Sequence, residues 1–263
     1  MMLRLLLLLS LFASSYANDV AWYTKIHTKV GFSLYNSDYK GTLSNPETAK
    51  AIDFKNDFKY ADTTSSFFSL EMQFDFPYIP NIYISYFNMN QTDDVDFNRS
   101  ITFNDTLFNK VRASIDYKVL NTILFQEFKA KGRRIPFFNR SFYSGDIEFD
   151  IGANIKIIDY LIQMKDLNNP ASAYRFDRVE STLILPYAGL KYYRYDLVLF
   201  ANISSLSFAK SKATSYQFGV EYQVINNIYL GYGYMYEDFK ATEKRDDINF
   251  KTAGNKFSIK FAF

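Results

Sequence analysis

The sequence predicts an all-β protein, a transmembrane antiparallel up-and-down β-barrel of about ten strands, with eight or twelve strands as the alternatives. Apolar and polar residues alternate along many segments, which is the period of a strand with one wet and one apolar face. The last of these, NKFSIKFAF at 255–263, carries all its large apolar residues on one face. Past the N-terminal segment, no apolar stretch is long enough for a spanning helix, so a closed barrel remains as the spanning structure.

The first seventeen residues predict a secretory signal peptide. One basic residue, Arg4, precedes a short apolar run, and Ser15 and Ala17 have the small-residue spacing of a cleavage site. The apolar run is about half the ~20 residues of a spanning helix, so cleavage is favoured over a membrane anchor. We therefore expect residues 1–17 to be removed and residues 18–263 to form one barrel in the outer membrane of a Gram-negative bacterium.

Composition agrees with a barrel and limits the partners. Aromatic residues make up 19% of the chain, with 27 Phe and 22 Tyr but one Trp. A barrel displays such rings at the two membrane interfaces, although a secreted β-sandwich with a tyrosine-rich surface is the alternative. The formal charge is +2, or +1 without Arg4, so we expect no nucleic-acid partner. The chain has no cysteine, so it must be stable without disulfides.

Ten segments show the strand alternation in order along the chain. They are 20–34, 68–76, 82–89, 111–119, 147–157, 183–193, 196–208, 216–224, 228–237 and 255–263. An even strand number leaves both ends of the chain at one rim, the periplasmic rim of such barrels. Pro186 falls inside a predicted strand and predicts a bulge there.

The connections between these strands are of two kinds. Short turns follow Phe76, surround Tyr195 and occupy 225–227. Long polar segments, which we expect to be outer loops, occupy 36–66, 90–106, 159–180 and 238–254. Segment 122–145 fits neither kind, and we expect it to be a periplasmic insertion or an additional hairpin.

Several segments resemble a known family. The ending KFSIKFAF is similar to the C-terminal assembly signal of bacterial outer-membrane proteins, with Phe263 as the terminal aromatic and Phe261 two residues earlier. Ser258 stands where that signal usually has glycine. FPYIPNIYISY, DIGANIKIIDY and LPYAGLKY are similar to a family of small proteobacterial outer-membrane β-barrels of uncharacterised function. The resemblance covers most of the mature chain, except segment 122–145, and implies the fold and recognition by the barrel-assembly machinery.

The inward faces of the predicted strands carry charges of both signs. We predict that the lumen is lined by Lys25, His27, Lys29, Glu71, Asp75, Arg112, Asp116, Glu148, Asp150, Gly231, Gly233, Lys256 and Lys260. Such charges can pair and fill a narrow barrel. Alternatively, the inward glycines leave room for a stripe of lysines that passes small anions. The predicted function is therefore a structural barrel or a narrow passive channel, and the alternative is a surface-binding or adhesion protein that acts through its long outer loops.

Catalysis and metal binding have weak support in the sequence. His27 is the only histidine, is expected near mid-barrel, and has lysines on both sides that oppose its protonation. Asp94, Asp96 and Asn98 alternate like a calcium loop, but Arg99 occupies the place of the required glycine. The same stretch, DFNRS, resembles the acidic extended sequon of some bacterial N-glycosylation systems, with Asn98 as the acceptor. We predict that the protein is not an enzyme and binds no cofactor or metal. Its expected partners in the membrane are lipid and lipopolysaccharide. The sequence does not determine the solute, whether the lumen is open, or the oligomeric state.

Overall fold

The computed structural model describes most of the chain after residue 25. The described residues are 26–44, 51–58, 63–75, 78–103, 106–132, 134–137, 140–143, 145–169, 171–208, 211–243 and 246–263. The predicted signal peptide and Lys25 lie outside them. None of the described residues belongs to a helix with the length and hydrophobicity needed to span a membrane.

Antiparallel strands make up nearly all of the described chain. They are β1 (Ile26–Ser44), β2 (Ile52–Asp53), β3 (Thr63–Phe74), β4 (Asn81–Phe103), β5 (Thr106–Ala130), β6 (Arg134–Phe137), β7 (Arg140–Tyr143), β8 (Asp146–Asp166), β9 (Arg175–Arg194), β10 (Leu197–Phe208), β11 (Ser211–Ile225), β12 (Ile228–Glu243) and β13 (Asp246–Ala262). The main sheet has eleven strands, in the order β13, β12, β11, β10, β9, β8, β5, β4, β3, β1, β2. All of these except the short β2 form a ring, since β13 also pairs with β1. The predicted up-and-down barrel of about ten strands is thus confirmed.

The ring closes where the sequence predicts, between the first and last strands. Val30 pairs with Phe261 and Gly31 with Lys260, and the backbone N–H of Phe263 donates to the carbonyl of Thr28 at 2.8 Å. The register between these strands runs without a break from Lys29 to Ser44, and Phe263 lies beside Thr28 near the start of β1. We call this end of the ring the terminal rim.

The outside of the ring is apolar near the terminal rim and polar farther away. The exposed apolar side chains include Phe32, Leu34, Phe149, Ile151, Leu199, Phe218, Leu230, Phe257 and Ile259. Tyrosines mark the upper edge of this apolar band, where the rings of Tyr216 and Tyr236 stack at 4.7 Å. Beyond them the outward positions are occupied by charged residues such as Asp159 and Arg178. This is the distribution expected of a barrel with a lipid-facing band and an aromatic girdle.

Beyond the apolar band, the ring separates into two facing sheets. Among the described residues, β9 pairs with β10 only as far as Tyr187 and Ser204, and β3 pairs with β4 only as far as Ser66 and Asn88. The other pairings continue. We call this two-sheet part the head: 89–103, 106–117, 158–166 and 175–186 form one sheet, and 37–44, 211–215, 235–243 and 246–252 form the other, with 51–58 packed between them.

A core of aromatic and aliphatic side chains fills the space between the two sheets of the head. Phe250 of β13 lies 4.1 Å from Tyr117 of β5 and 5.5 Å from Tyr160 of β8, measured between ring centroids. These strands are not neighbours in the ring, so the contacts cross the barrel interior. Phe54 and Phe58, which follow β2, insert from one side and are completely buried. The head is therefore packed like a β-sandwich rather than open like a pore.

The structure corrects the prediction of long polar outer loops. Strands run through much of 36–66, 90–106, 159–180 and 238–254, because β1, β4, β5, β8, β9, β12 and β13 all extend into the head. The sequence pattern was misread there because the outward residues are polar, while the alternating inward residues, such as Tyr39, Phe97 and Phe239, are buried in the core. A polar outer face is what strands need once they leave the lipid.

Two further predictions are resolved near the terminal rim. Segment 122–145 contains the end of β5 and a separate hairpin, β6 with β7, whose strands pair only with each other in the described residues. The hairpin is thus additional to the ring and does not raise its strand count. The predicted bulge at Pro186 is wrong, because Pro186 lies opposite Ala153 in an unbroken register. Pro186 instead stands where the pairing with β10 ends, and a residue without an N–H group is tolerated at such an edge.

Candidate functional site

The lumen contains a polar chamber between the terminal rim and the core of the head. Its volume is about 100 Å³, and its wall includes residues from every strand of the ring. Charged side chains line it near the rim, and amide and hydroxyl groups line it near the core. In the described residues the chamber is closed towards the head by Tyr35, Phe87 and Met235, all buried side chains at the base of the core.

Lys191 is the centre of a charged cluster in the part of the chamber near the terminal rim. Its Nζ lies 2.6 Å from Glu148 Oε1, 3.3 Å from Asp150 Oδ2 and 3.4 Å from Glu71 Oε1. Tyr193 donates a hydrogen bond of 3.0 Å to Glu148 Oε2. One lysine of β9 is thus shared by three carboxylates from two strands, β3 and β8, and this arrangement ties the opposite walls of the barrel together.

Two more ion pairs cross the lumen. Lys260 pairs with Glu221, and Lys156 pairs with Glu237 at the boundary with the core. Lys156 lies on β8 and Glu237 on β12, which are not adjacent strands. Since both side chains are buried, each charge depends on the other for compensation.

A group of acidic side chains near the rim could be mistaken for a metal centre. Ligand oxygens of Glu127, Glu148 and Asp150 lie within 4.8 Å of one another. Lysine side chains already compensate these negative charges, because Lys129 pairs with Glu127 and Lys191 pairs with both Glu148 and Asp150. The group therefore belongs to the lumen ion-pair network.

Lys256 lies apart from these pairs. It is 5% exposed, and its Nζ lies 3.4 Å from the centroid of the Phe67 ring. It lies opposite Gly233 on one side and Tyr35 on the other. Lys256 is thus a buried cation over an aromatic face, in the chamber wall.

The structure brings together most of the residues that the sequence predicts for the lumen. Lys29, Glu71, Glu148, Asp150, Lys256 and Lys260 point inward, and Glu71, Glu148 and Asp150 meet at Lys191, a residue the prediction did not include. The irregular alternation of segment 183–193 concealed Lys191. Alternate residues of a strand face the same side, and Lys191 is two residues after Gly189 and four after Tyr187. This spacing was the signal that could have identified it.

The prediction that Arg112 and Asp116 line the lumen is wrong. Both lie on the outer face of β5, where the even-numbered residues point outward and the odd-numbered Ala113, Ile115 and Tyr117 are buried. Arg112 Nε and Nη2 donate to the two carboxylate oxygens of Asp94, at 2.7 and 2.8 Å. The error came from treating a charged face as the wet interior, whereas this part of β5 lies in the head with solvent outside.

His27 lies at the terminal rim and not near mid-barrel. It is opposite Gln73, and its Nε2 lies 3.4 Å from Asp75 Oδ2, with both side chains more than half exposed. The mid-barrel placement assumed that the first strand begins close to the cleavage site. In the structure Thr28 is hydrogen-bonded to Phe263 at the rim, and His27 precedes Thr28. Both predicted residues thus contact each other at the exposed rim. The prediction that the chain is not an enzyme stays a prediction.

The inward glycines do not simply leave room for lysines. A Cβ atom on Gly231 would lie 2.3 Å from Ser258 Oγ, so the hydroxyl already occupies that space. A Cβ atom on Gly233 would meet the backbone of β11, where Gly219 is its partner. The two glycines therefore allow β11, β12 and β13 to pack closely.

The outer face of the head carries well-formed ion pairs. Arg178 donates to both carboxylate oxygens of Asp159 at 2.9 Å, and its Nη2 lies 2.8 Å from Glu180. The hydrogen bond from Arg178 holds the pKa of the Asp159 carboxyl below its ordinary value. The hydrogen bond from Arg112 similarly lowers the pKa of Asp94.

The far end of β8 and β9 presents aromatic and basic side chains to solvent. Tyr174 is 47% and Phe176 is 62% exposed, and Lys165 Nζ lies 5.4 Å from the centroid of the Tyr174 ring. Arg175 and Arg178 flank them and are also exposed. We call Lys165, Tyr174, Arg175, Phe176 and Arg178 the β8–β9 patch. All five residues fall within 159–180, which the sequence pattern predicts to be a polar loop, so the patch was not predicted.

Comparison with known proteins gives matches to solved structures at low sequence identity. No protein-family model matches the chain, and no curated protein matches it. Among solved structures, the translocator domain of the autotransporter NalP from Neisseria meningitidis has 12% identity and a TM-score of 0.43, over 97% of this chain and 93% of that one. Ail, the attachment invasion locus protein of Yersinia pestis, in complex with the heparin analogue sucrose octasulfate, has 6% identity and a TM-score of 0.36, over 88% and 98%. The P. putida toluene transporter TodX has 8% identity and a TM-score of 0.29, over 89% of each chain.

Proposed function

We propose that this protein is an outer-membrane β-barrel that holds a rigid β-sheet head outside the membrane and binds a surface partner through that head. The core that fills the barrel interior beyond the chamber is the observation that carries the proposal. Tyr117, Tyr160 and Phe250 meet across the interior, so a solute in the chamber has no open path through the described part of the head. The apolar band would face lipid and lipopolysaccharide, and Phe261 and Phe263 would be read by the barrel-assembly machinery.

The orientation in this proposal rests on the two ends of the barrel. The terminal rim carries the C-terminal aromatic residue and the β6–β7 hairpin, and it would face the periplasm. The head would then extend into the medium. The packed core holds the described strands of the head in place, which lowers the entropy cost of ordering a binding surface on them.

The β8–β9 patch is the surface we propose for binding. Tyrosine, phenylalanine and arginine side chains are enriched in protein interfaces, and lysine is depleted. The patch exposes two aromatic rings beside the basic Lys165 and Arg175, while Arg178 is already paired with Asp159 and Glu180, so a partner with apolar and acidic groups fits it. Binding would therefore use the tip of the head rather than the lumen.

The test is attachment of bacteria that display the full chain, compared with variants of the patch. Tyr174→Ser with Phe176→Ser should reduce adherence to an epithelial cell monolayer by at least tenfold while surface display and resistance to protease stay unchanged. Leu107→Ser is the matched control, since Leu107 is 61% exposed on β5 outside the patch. Equal adherence of all three strains and of a strain without the protein would reject the proposal.

A narrow passive channel for small anions is the second candidate, supported by the polar chamber in the membrane half of the barrel. Conduction through such a channel would require the core side chains of the head to move apart. Single-channel recording of the refolded mature chain in a planar bilayer separates the two candidates. Anion-selective current steps that reverse selectivity in Lys256→Glu with Lys260→Glu support the channel, and a silent, heat-modifiable barrel supports the binding protein.

A further inference from the structure

Lys256 is a buried ammonium group that the lumen does not neutralise. It is 5% exposed, and no carboxylate oxygen of the described residues lies within ion-pair distance of its Nζ. The Phe67 ring face attracts the cation, but more weakly than a carboxylate would. Burying a charge without a partner is costly, so the protein must either lack the charge or supply a counter-ion.

The carboxylates around the chamber are already paired with other lysines. Glu71, Glu148 and Asp150 share Lys191, Glu221 pairs with Lys260, and Glu237 pairs with Lys156. Glu221 is the carboxylate whose charge acts on Lys256, but Lys260 holds it. A Lys256 that keeps its charge therefore has to take its counter-ion from solution.

The chamber beside Lys256 has room and hydrogen-bond donors for such an ion. Asn202, Gln217 and Ser258 line the same chamber and carry N–H or O–H groups that can donate to an anion. A volume of about 100 Å³ holds a chloride-sized ion together with several water molecules.

We propose that the chamber binds one small monovalent anion of the size of chloride, with Lys256 Nζ as its principal contact. The amide and hydroxyl donors complete the shell, and the three-carboxylate cluster at Lys191 keeps larger and multiply charged anions out of the rim side. The site lies on the terminal side of the core, so it does not depend on binding by the head or on conduction.

The test uses chloride as the probe with the mature chain refolded in detergent micelles. The ³⁵Cl NMR line width of sodium chloride should increase with the protein and decrease as bromide displaces chloride in a saturable manner. Lys256→Met should weaken the apparent chloride affinity at least tenfold, and Lys256→Arg should retain it. Lys29→Met is the matched control, since Lys29 also lines the chamber, near the rim, and lies 5.1 Å from the Tyr229 ring centroid.

A second measurement needs no variant and covers the case in which Lys256→Met does not fold. Crystals of the unaltered mature chain soaked in sodium bromide should show one anomalous peak in the chamber, within about 3.5 Å of Lys256 Nζ. A chamber without a bromide peak, or saturable chloride broadening that is the same in the wild type and in folded Lys256→Met, overturns the proposal. Loss of adherence by the head variants would leave this result unchanged, so the two proposals fail separately.

Discussion

Replacing Lys156 with methionine should destabilise the barrel by about 3–5 kcal/mol, because it leaves the Glu237 carboxylate buried without its cation. The two side chains are 1% and 7% exposed, and they join β8 to β12 across the lumen. Methionine keeps most of the volume of lysine, so the loss is electrostatic rather than a cavity. The magnitude is a large part of the net stability of a typical domain.

The double variant Lys156→Met with Glu237→Leu separates this cause from general damage to the lumen. Removing both charges together is often neutral or stabilising, so the double variant should recover most of the loss caused by Lys156→Met. The assay is urea unfolding in lipid vesicles, followed by far-UV circular dichroism and by heat-modified mobility on gels. Lys251→Met, on the outer face of β13, is the control and should leave the unfolding midpoint unchanged. A double variant that is as unstable as the single variant would refute the reasoning.

Three other predictions follow from the head and the wall. Phe250→Ala removes a ring packed between both sheets and should cost about 3–5 kcal/mol in the same urea assay, whereas Phe176→Ala, on the solvent-exposed surface of the head, should cost much less. Gly152→Ala would place a Cβ atom 1.9 Å from a carbonyl oxygen of β5, so refolding yield measured by gel mobility should fall sharply. Asp159 should titrate below its ordinary value of 3.8, and Arg178→Gln should raise its pKa in a carboxyl ¹³C NMR titration. Because the folded pKa is lowered, the stabilisation is present above the unfolded value and is lost as pH falls through the folded pKa; an unshifted titration in Arg178→Gln would contradict this.

Alternation predicted the strands of the membrane half well and the strands of the head poorly. Segment 255–263 has one apolar and one polar face, and a strand with those faces between lipid and lumen has a single orientation. In the head, both faces change character, since the inner face becomes apolar and the outer face becomes charged. Strand β5 is an example. Its even-numbered side chains point outward from Arg112 to Leu124, but they are apolar at Leu124 in the membrane half and charged at Arg112 in the head.

The candidate sites depended on contacts that the sequence does not reveal. The parity of Lys191 within segment 183–193 is readable from the sequence, but its meeting with carboxylates of β3 and β8 depends on the tertiary structure. The unpaired state of Lys256 is likewise a property of the whole lumen. It follows from the pairing of Glu221 with Lys260 rather than with Lys256.

The amino-acid sequence by itself determined the all-β class, the ring of about ten strands and the meeting of its first and last strands, because the period of two and the apolar outer face are local properties of each strand. Only the tertiary structure decided that the ring separates into two sheets and that a core fills the interior between them. That outcome depends on which side chains meet across the barrel, such as Phe250 with Tyr117. Contacts between strands that are neighbours neither in sequence nor in the sheet leave no periodic signal in the chain.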